Sequence, residues 1–182
     1  MLNSMYWAWQ KAVDPDFCDY ILKNCDWGKA ETAQVTNDNM SSIKPESRIT
    51  EIVWHNHGAP STSLMFQHMQ MANDMAGWNF DVKFPQECQI GKYENGGHYN
   101  WHIDAFPPDE KNMQRKLSAV LLLNDPSEYE GGELEFEGMP EFKLEGKGSI
   151  VVFPSLIRHR VTPVTSGTRY SATCWALGPA FK

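Results

Sequence analysis

A change of hydrophobic period after Gly77 constrains this chain more than any other feature. From that point ECQIGKY, HYNWHID, KLSAVLLLN, GELEFEG, GSIVVFP, RHRVTPV and RYSATCWALG are short β-prone runs separated by turn residues. In GELEFE the alternation is strict: Leu134 and Phe136 point one way, Glu133, Glu135 and Glu137 the other, as a half-buried strand requires. Such a succession predicts an antiparallel sandwich or barrel. Before Gly77 the period is helical. Asp14 as cap and Pro15 at the first helical position predict a helix over DFCDYILKNC that buries Phe17, Ile21 and Leu22. A second helix is predicted over Ser61–Ala76, with Leu64, Met65, His68, Met69, Ala72 and Met75 on one face. RITEIVW (Arg48–Trp54) reads as a strand, and the polar stretch 36–47, with Pro45, as a mobile loop.

The fold class is therefore mostly β with flanking α-helices, jelly-roll-like, the helices packed outside one sheet. One domain is predicted over 1–182, with a helical buttress over about 1–77 and a β core over about 78–180. The chain has 182 residues, 41% hydrophobic and 21% charged, which excludes collagen, coiled coil and wholesale disorder. A net charge of −7 without a basic stripe argues against a nucleic-acid partner. No apolar run approaches the roughly 18 residues of a membrane span. Cys18, Cys25, Cys88 and Cys174 contain no CxxC pair and read as reduced thiols. MLNSMYWAWQKAVDP lacks the pattern of a signal peptide, so a cytoplasmic location is expected.

The chemistry concentrates in a few residues. His102 and Asp104 are two apart, so an extended chain projects both from one face and lets both reach a single cation. His159 follows 55 residues after Asp104 in a strand pattern. Two histidines and a carboxylate form a facial triad that suits non-haem Fe(II) and leaves positions open for O₂ and substrate. Arg169 comes ten residues after His159, beyond the turn at Ser166-Gly167, which reads as a hairpin between RHRVTPV and TRYSATCW. It shares a face with Ser171, Thr173 and Trp175. A buried arginine needs an anion: a carboxylate ligand, or one of the protein's own acids. His55 and His57 form an H-x-H pair with no carboxylate or third histidine nearby in sequence.

The combined pattern resembles the 2-oxoglutarate- and Fe(II)-dependent dioxygenases of the prolyl 4-hydroxylase type. The matching residues are YENGGHYNWHID from Tyr93 to Asp104, LLLN ending at Asn124, GGEL from Gly131, FPSLIRHRVTP around His159 and TRYSATCW from Thr168 to Trp175. The resemblance implies a double-stranded β-helix, a cupin-like jelly roll with helices on its major sheet. It also implies Fe(II) held by His102, Asp104 and His159, and Arg169 binding the distal carboxylate of 2-oxoglutarate. Tyr93, Val161 and Trp175 would line the cofactor pocket. Leu122 departs from relatives that carry a tyrosine there; Tyr93, Ser118 or Thr168 are candidates to replace that hydrogen bond.

The implied reaction couples oxidation of 2-oxoglutarate by O₂, giving succinate and CO₂, to hydroxylation of an unactivated C–H bond. Ascorbate serves as reductant in many relatives. A prolyl residue in a protein or peptide partner is the substrate the resemblance implies; another amino-acid side chain or a small molecule is the alternative. Tyr99, Trp101 and Arg48 are candidate substrate contacts, and AFPPDEKNMQRK after Asp104 a candidate lid. The non-enzymatic alternative is a cupin-like metal-binding module.

Overall fold

The computed structural model describes residues 4–33, 35–37, 40–42, 44–139 and 142–181. Strand β1 (Trp7–Trp9) leads into helix α1 (Pro15–Lys23), followed by β2 (Glu31–Thr32), β3 (Val35–Asn37), β4 (Met40–Ser42), β5 (Arg48–Ile49) and β6 (Glu51–His55). Helix α2 (Pro60–Met75) precedes β7 (Phe84–Pro85), β8 (Cys88–Tyr93), β9 (His98–His102) and β10 (Met113–Leu122). The chain then forms β11 (Tyr129–Gly131), β12 (Leu134–Phe136), β13 (Ile150–Pro154), β14 (His159–Val161), β15 (Val164–Gly167) and β16 (Arg169–Pro179).

The larger sheet runs β1-β13-β10-β16-β8-β6-β2, with β7 added to β16; a four-stranded sheet runs β12-β14-β9-β5. Every pairing in both is antiparallel. Strand alternation gives the larger sheet two distinct faces. Ile90, Ala119, Leu121, Ile150, Val152, Ala172 and Cys174 pack outward against Cys18 and Ile21 of α1 and Met65, Met69 and Ala72 of α2. Each fully buried Met or Leu in that layer contributes about 1.5–3 kcal/mol. The opposite face, with Tyr93, Val120, Val151 and Phe153, meets Leu134, Phe136 and Val161 of the smaller sheet. The functional cavity lies between these two faces.

α1 starts as expected: Asp14 Oδ1 accepts from Asp16 N at 2.8 Å, and Pro15 occupies the first position. Cys18 and Ile21 are its fully buried residues, while Phe17 and Leu22 pack only partly. In α2 the buried face is shifted from the expected one. Met75 is 54% exposed, and Asn73 is buried in its place. The Asn73 amide can be buried because it donates to Phe80 O and accepts from Phe80 N, both at 2.9 Å, closing the turn after the helix.

The structure corrects four other readings. RITEIVW is two strands: the chain breaks at Thr50, sending β5 into the small sheet and β6 into the large one. Within 36–47, β3 pairs with β4 (Val35↔Ser42, Asn37↔Met40), so this stretch is not simply a loop; positions 38, 39 and 43 lie outside the described residues. The candidate lid ends at Asn112, because Met113 already belongs to β10. His159 and Arg169 do not sit on a hairpin. β14 and β16 belong to different sheets, and the intervening β15 pairs with β11.

Among the described residues no helix is long and apolar enough to cross a membrane. All four cysteines are free.

Candidate metal centre and active-site cavity

β9 and β14 are neighbours, with His102 opposite His159 in register. β9 ends at His102, so Asp104 stands just beyond the strand rather than within it. Its position is fixed by the backbone instead: Asp104 N and Ala105 N both donate to Ser155 O at 3.0 Å. The side-chain ligand atoms of His102, Asp104 and His159 lie within 4.8 Å of one another. Each histidine Nε2 is 3.6 Å from a different Asp104 oxygen.

The surroundings prepare these atoms for a cation. His102 Nδ1–H donates to Asn100 O at 2.7 Å and His159 Nδ1–H to Ile157 O at 2.9 Å. Because both acceptors are carbonyls, the proton must sit on Nδ1, and each Nε2 presents its lone pair inward. Burial pushes His159 down to about 4, which keeps it neutral. For Asp104 burial alone would raise the pKa, but His159, His102 and Arg115 outweigh it and hold the carboxyl well below the usual range. Ser118 Oγ donates to Asp104 Oδ2 at 2.7 Å and lies 2.9 Å from Ser155 Oγ. Ser118, weighed as a cofactor donor, is therefore engaged with the carboxylate.

Arg169 is 1% exposed at the start of β16, opposite Tyr93 of β8. Its Nη1 donates to Ser171 Oγ at 2.9 Å, and its guanidinium lies 5.2 Å from the Tyr93 ring centroid. Its Nε is buried with no acceptor. Among the described residues no carboxylate forms an ion pair with it. A buried cation left without an anion is costly, so this guanidinium fits an incoming carboxylate. Gly132, at φ 63°, permits its approach; a Cβ there would lie 2.8 Å from Arg169 Cδ.

All seven residues singled out by the sequence line one space of about 30 Å³: His102, Asp104, His159, Arg169, Tyr93, Val161 and Trp175. At Arg169 and Leu134 it adjoins a chamber of about 390 Å³ that Leu122 also lines. On the other side, past Asp104 and Tyr99, it adjoins a cavity of about 260 Å³. Tyr99 stacks on His102 with ring centroids 3.5 Å apart, and Arg48 sits over Tyr99 at 4.6 Å. Trp101 packs instead against Arg160 at 4.7 Å and Arg158 at 5.8 Å. His55 is bonded to Ser61 Oγ at 3.0 Å and lies 3.5 Å from Cys25 Sγ; it belongs to no metal-ligand group among the described residues.

Sequence reasoning missed Arg115 and Gln89. Counting by twos from Ser118 would turn Arg115 outward. A bulge between Arg115 and Leu117 reverses the parity, so Arg115 faces the cavity and Lys116 sits over Phe181. No pattern in the sequence signals that bulge.

A donor set of two neutral imidazoles and one ionised carboxylate suits Fe(II), and the unpartnered arginine beyond it suits a dicarboxylate. Residues 88–177 match the family model of the 2OG-Fe(II) oxygenase superfamily. This chain carries a 2OG-Fe(II) oxygenase domain. It is 43% identical over 89 residues to a PKHD-type hydroxylase of Teredinibacter turnerae, covering 46% of this chain and 39% of that protein. A PKHD-type hydroxylase of Aliarcobacter butzleri is 44% identical over 93 residues, 47% of this chain and 41% of the relative. The matched region thus spans about two fifths of these relatives. The fold of this oxygenase chain is similar to that of the viral collagen prolyl hydroxylase from Paramecium Bursaria Chlorella virus-1, with a TM-score of 0.72 and 19% identity over 96% of this chain and 97% of the other. It is also similar to a Pseudomonas putida prolyl-4-hydroxylase, with a TM-score of 0.71 and 22% identity over 98% and 94%.

Proposed function

We propose that this chain is a 2-oxoglutarate- and Fe(II)-dependent dioxygenase that hydroxylates a prolyl residue in a protein or peptide, releasing succinate and CO₂. The observation that carries the reading is the cavity in which three convergent ligands and one unpartnered buried arginine face the same space. The two facing antiparallel sheets support the double-stranded β-helix, in one domain with the helices as buttress. The four free thiols agree with a cytoplasmic setting.

In this reading His102 and His159 hold iron through Nε2 and Asp104 holds it through a carboxylate oxygen. Arg169 takes the distal carboxylate of 2-oxoglutarate, as a planar guanidinium does best. Iron and 2-oxoglutarate together supply the O₂ activation that lets an unactivated C–H bond be hydroxylated. The chain's own work is orientation and exclusion of water. Ser118 and Ser155 keep the Asp104 carboxylate aimed at the histidines. Val161, Leu134 and Val120 supply apolar wall between the triad and Arg169. Tyr99 restrains the His102 ring and closes the mouth side. Leu122 offers no hydroxyl beside Arg169, leaving Ser171 and Tyr93 as its polar and aromatic neighbours.

The test is succinate formation from protein incubated with Fe(II), 2-oxoglutarate, ascorbate and a panel of proline-containing peptides, with peptide mass read in parallel. Iron-dependent succinate with a gain of one oxygen on a peptide supports the reading. Absence of any 2-oxoglutarate turnover under iron refutes it, and turnover with no peptide oxidised transfers the activity to another side chain or a small molecule.

A further inference from the structure

The mouth-side cavity carries two cations that neither the metal triad nor Arg169 uses. Arg48 comes from β5 and is 7% exposed; its Nη2 donates to Gln89 Oε1 at 2.6 Å, and its Nε is buried with no acceptor. Arg115 comes from β10; its Nε donates to Gln86 Oε1 at 2.6 Å. Its guanidinium is stacked between Trp175 at 3.8 Å and Phe106 at 4.9 Å. Both line the same cavity of about 260 Å³, beside Asp104 and Tyr99.

Both arginines are held in place by neutral groups. Amide oxygens and aromatic faces orient a guanidinium, but they do not cancel its charge. Among the described residues neither arginine forms an ion pair. Asp104 favours the charge on Arg115, yet its oxygens are turned to the two histidines and Ser118. Glu31, also on this cavity, is exposed to solvent. The Trp175 indole N–H, in the same wall, is likewise buried without an acceptor. Two cations and spare N–H donors around one cavity call for an anionic, acceptor-rich ligand.

We propose that the substrate supplies that anion: it carries a carboxylate close to the carbon that is hydroxylated, and Arg48 and Arg115 clamp it. This rests on reading the adjoining triad as the oxygenase centre. The carboxylate has two chemical sources. One is the free α-carboxylate of a C-terminal prolyl residue, the other an acidic side chain flanking an internal proline.

Four probes separate these sources: acetyl-Gly-Pro with a free carboxylate, its C-terminal amide, acetyl-Glu-Pro-Gly-amide and acetyl-Gln-Pro-Gly-amide. Binding is measured by calorimetry on the full chain with Fe(II) and 2-oxoglutarate under anaerobic conditions, and succinate formation is measured separately in air. The proposal requires one acid to bind at least about tenfold tighter than its neutral counterpart, and the pair that shows the difference names the source. Arg48→Gln and Arg115→Gln should each reduce that preference to within about threefold while keeping the native circular dichroism spectrum. Equal binding of acids and amides by the unmodified chain overturns the proposal and depends on no variant folding. A preference that survives in both folded variants also overturns it. A binding preference without succinate from any probe instead tells against the oxygenase reading and leaves the anion clamp standing.

Discussion

Ser118 Oγ donates a 2.7 Å hydrogen bond to Asp104 Oδ2 from the middle of β10, the strand behind the metal centre. The bond leaves Asp104 Oδ1 facing His102 and fixes the carboxylate plane. Outer partners of this kind are worth about 10–100-fold in metal affinity. Ser118→Ala should therefore weaken Fe(II) or Mn(II) binding by about that factor, read by metal titration, with the thermal transition little changed.

Removing a ligand goes further. His102→Ala, Asp104→Ala and His159→Ala should each abolish stoichiometric metal binding and 2-oxoglutarate turnover. Metal analysis after gel filtration checks the first, and succinate assay the second. Retention of one bound metal per chain in all three variants would remove the triad from consideration.

Arg169→Ala should raise the 2-oxoglutarate concentration needed for half-maximal turnover at least tenfold, because breaking a buried charge-assisted pair costs about 2–5 kcal/mol. Gly132→Ala should act in the same direction without touching the charge. Its φ of 63° strains any side chain, and the added Cβ would meet Arg169 Cδ at 2.8 Å and Val164 Cγ2 at 2.9 Å. A normal 2-oxoglutarate response in Arg169→Ala would sink the cofactor assignment.

The thiols give a pH prediction. Burial pushes Cys18 and Cys25 up to about 11 and Cys174 up to about 12, from an ordinary value of 9.0. The folded chain therefore holds these protons between pH 9 and 11 while the unfolded chain releases them. Folded pKa values raised in this way stabilise the protein fully below pH 9 and lose that contribution as pH climbs toward 11. Melting temperature should fall over that window, and alkylation of the native protein by iodoacetamide at pH 8 should be slow at all four cysteines.

Asn73→Leu tests the shifted face of α2. The substitution removes both partners of Phe80 N–H and C=O. Leaving buried backbone groups unpaired costs about 1–3 kcal/mol each. A loss of about 2 kcal/mol or more in denaturant-derived stability is expected.

Much of this architecture was legible in the chain. Alternation placed Leu134 and Phe136 inside, because a strand's period of two leaves little choice. The spacing of His102, Asp104, His159 and Arg169 identified the chemistry, because a metal and a dicarboxylate each demand particular donors. Breaks in the pattern were not legible. Thr50 sends one predicted strand into two sheets, and Asp104 is placed by Ser155 O rather than by a continuing strand. Met75 reads as core yet is exposed, while Asn73 reads as surface yet is buried, because the satisfied hydrogen bonds of its amide are invisible in a hydrophobicity pattern.

By itself the sequence determined which side chains could bind a metal and an acid, because those properties belong to the residues and their local period. Only the tertiary structure decided which charges have partners. A bulge between Arg115 and Leu117 turns one guanidinium inward, and the sheet containing β5 brings Arg48 beside it without an acid. Compensation of a buried charge depends on groups far apart in the chain, and their distances exist only once the two sheets face each other.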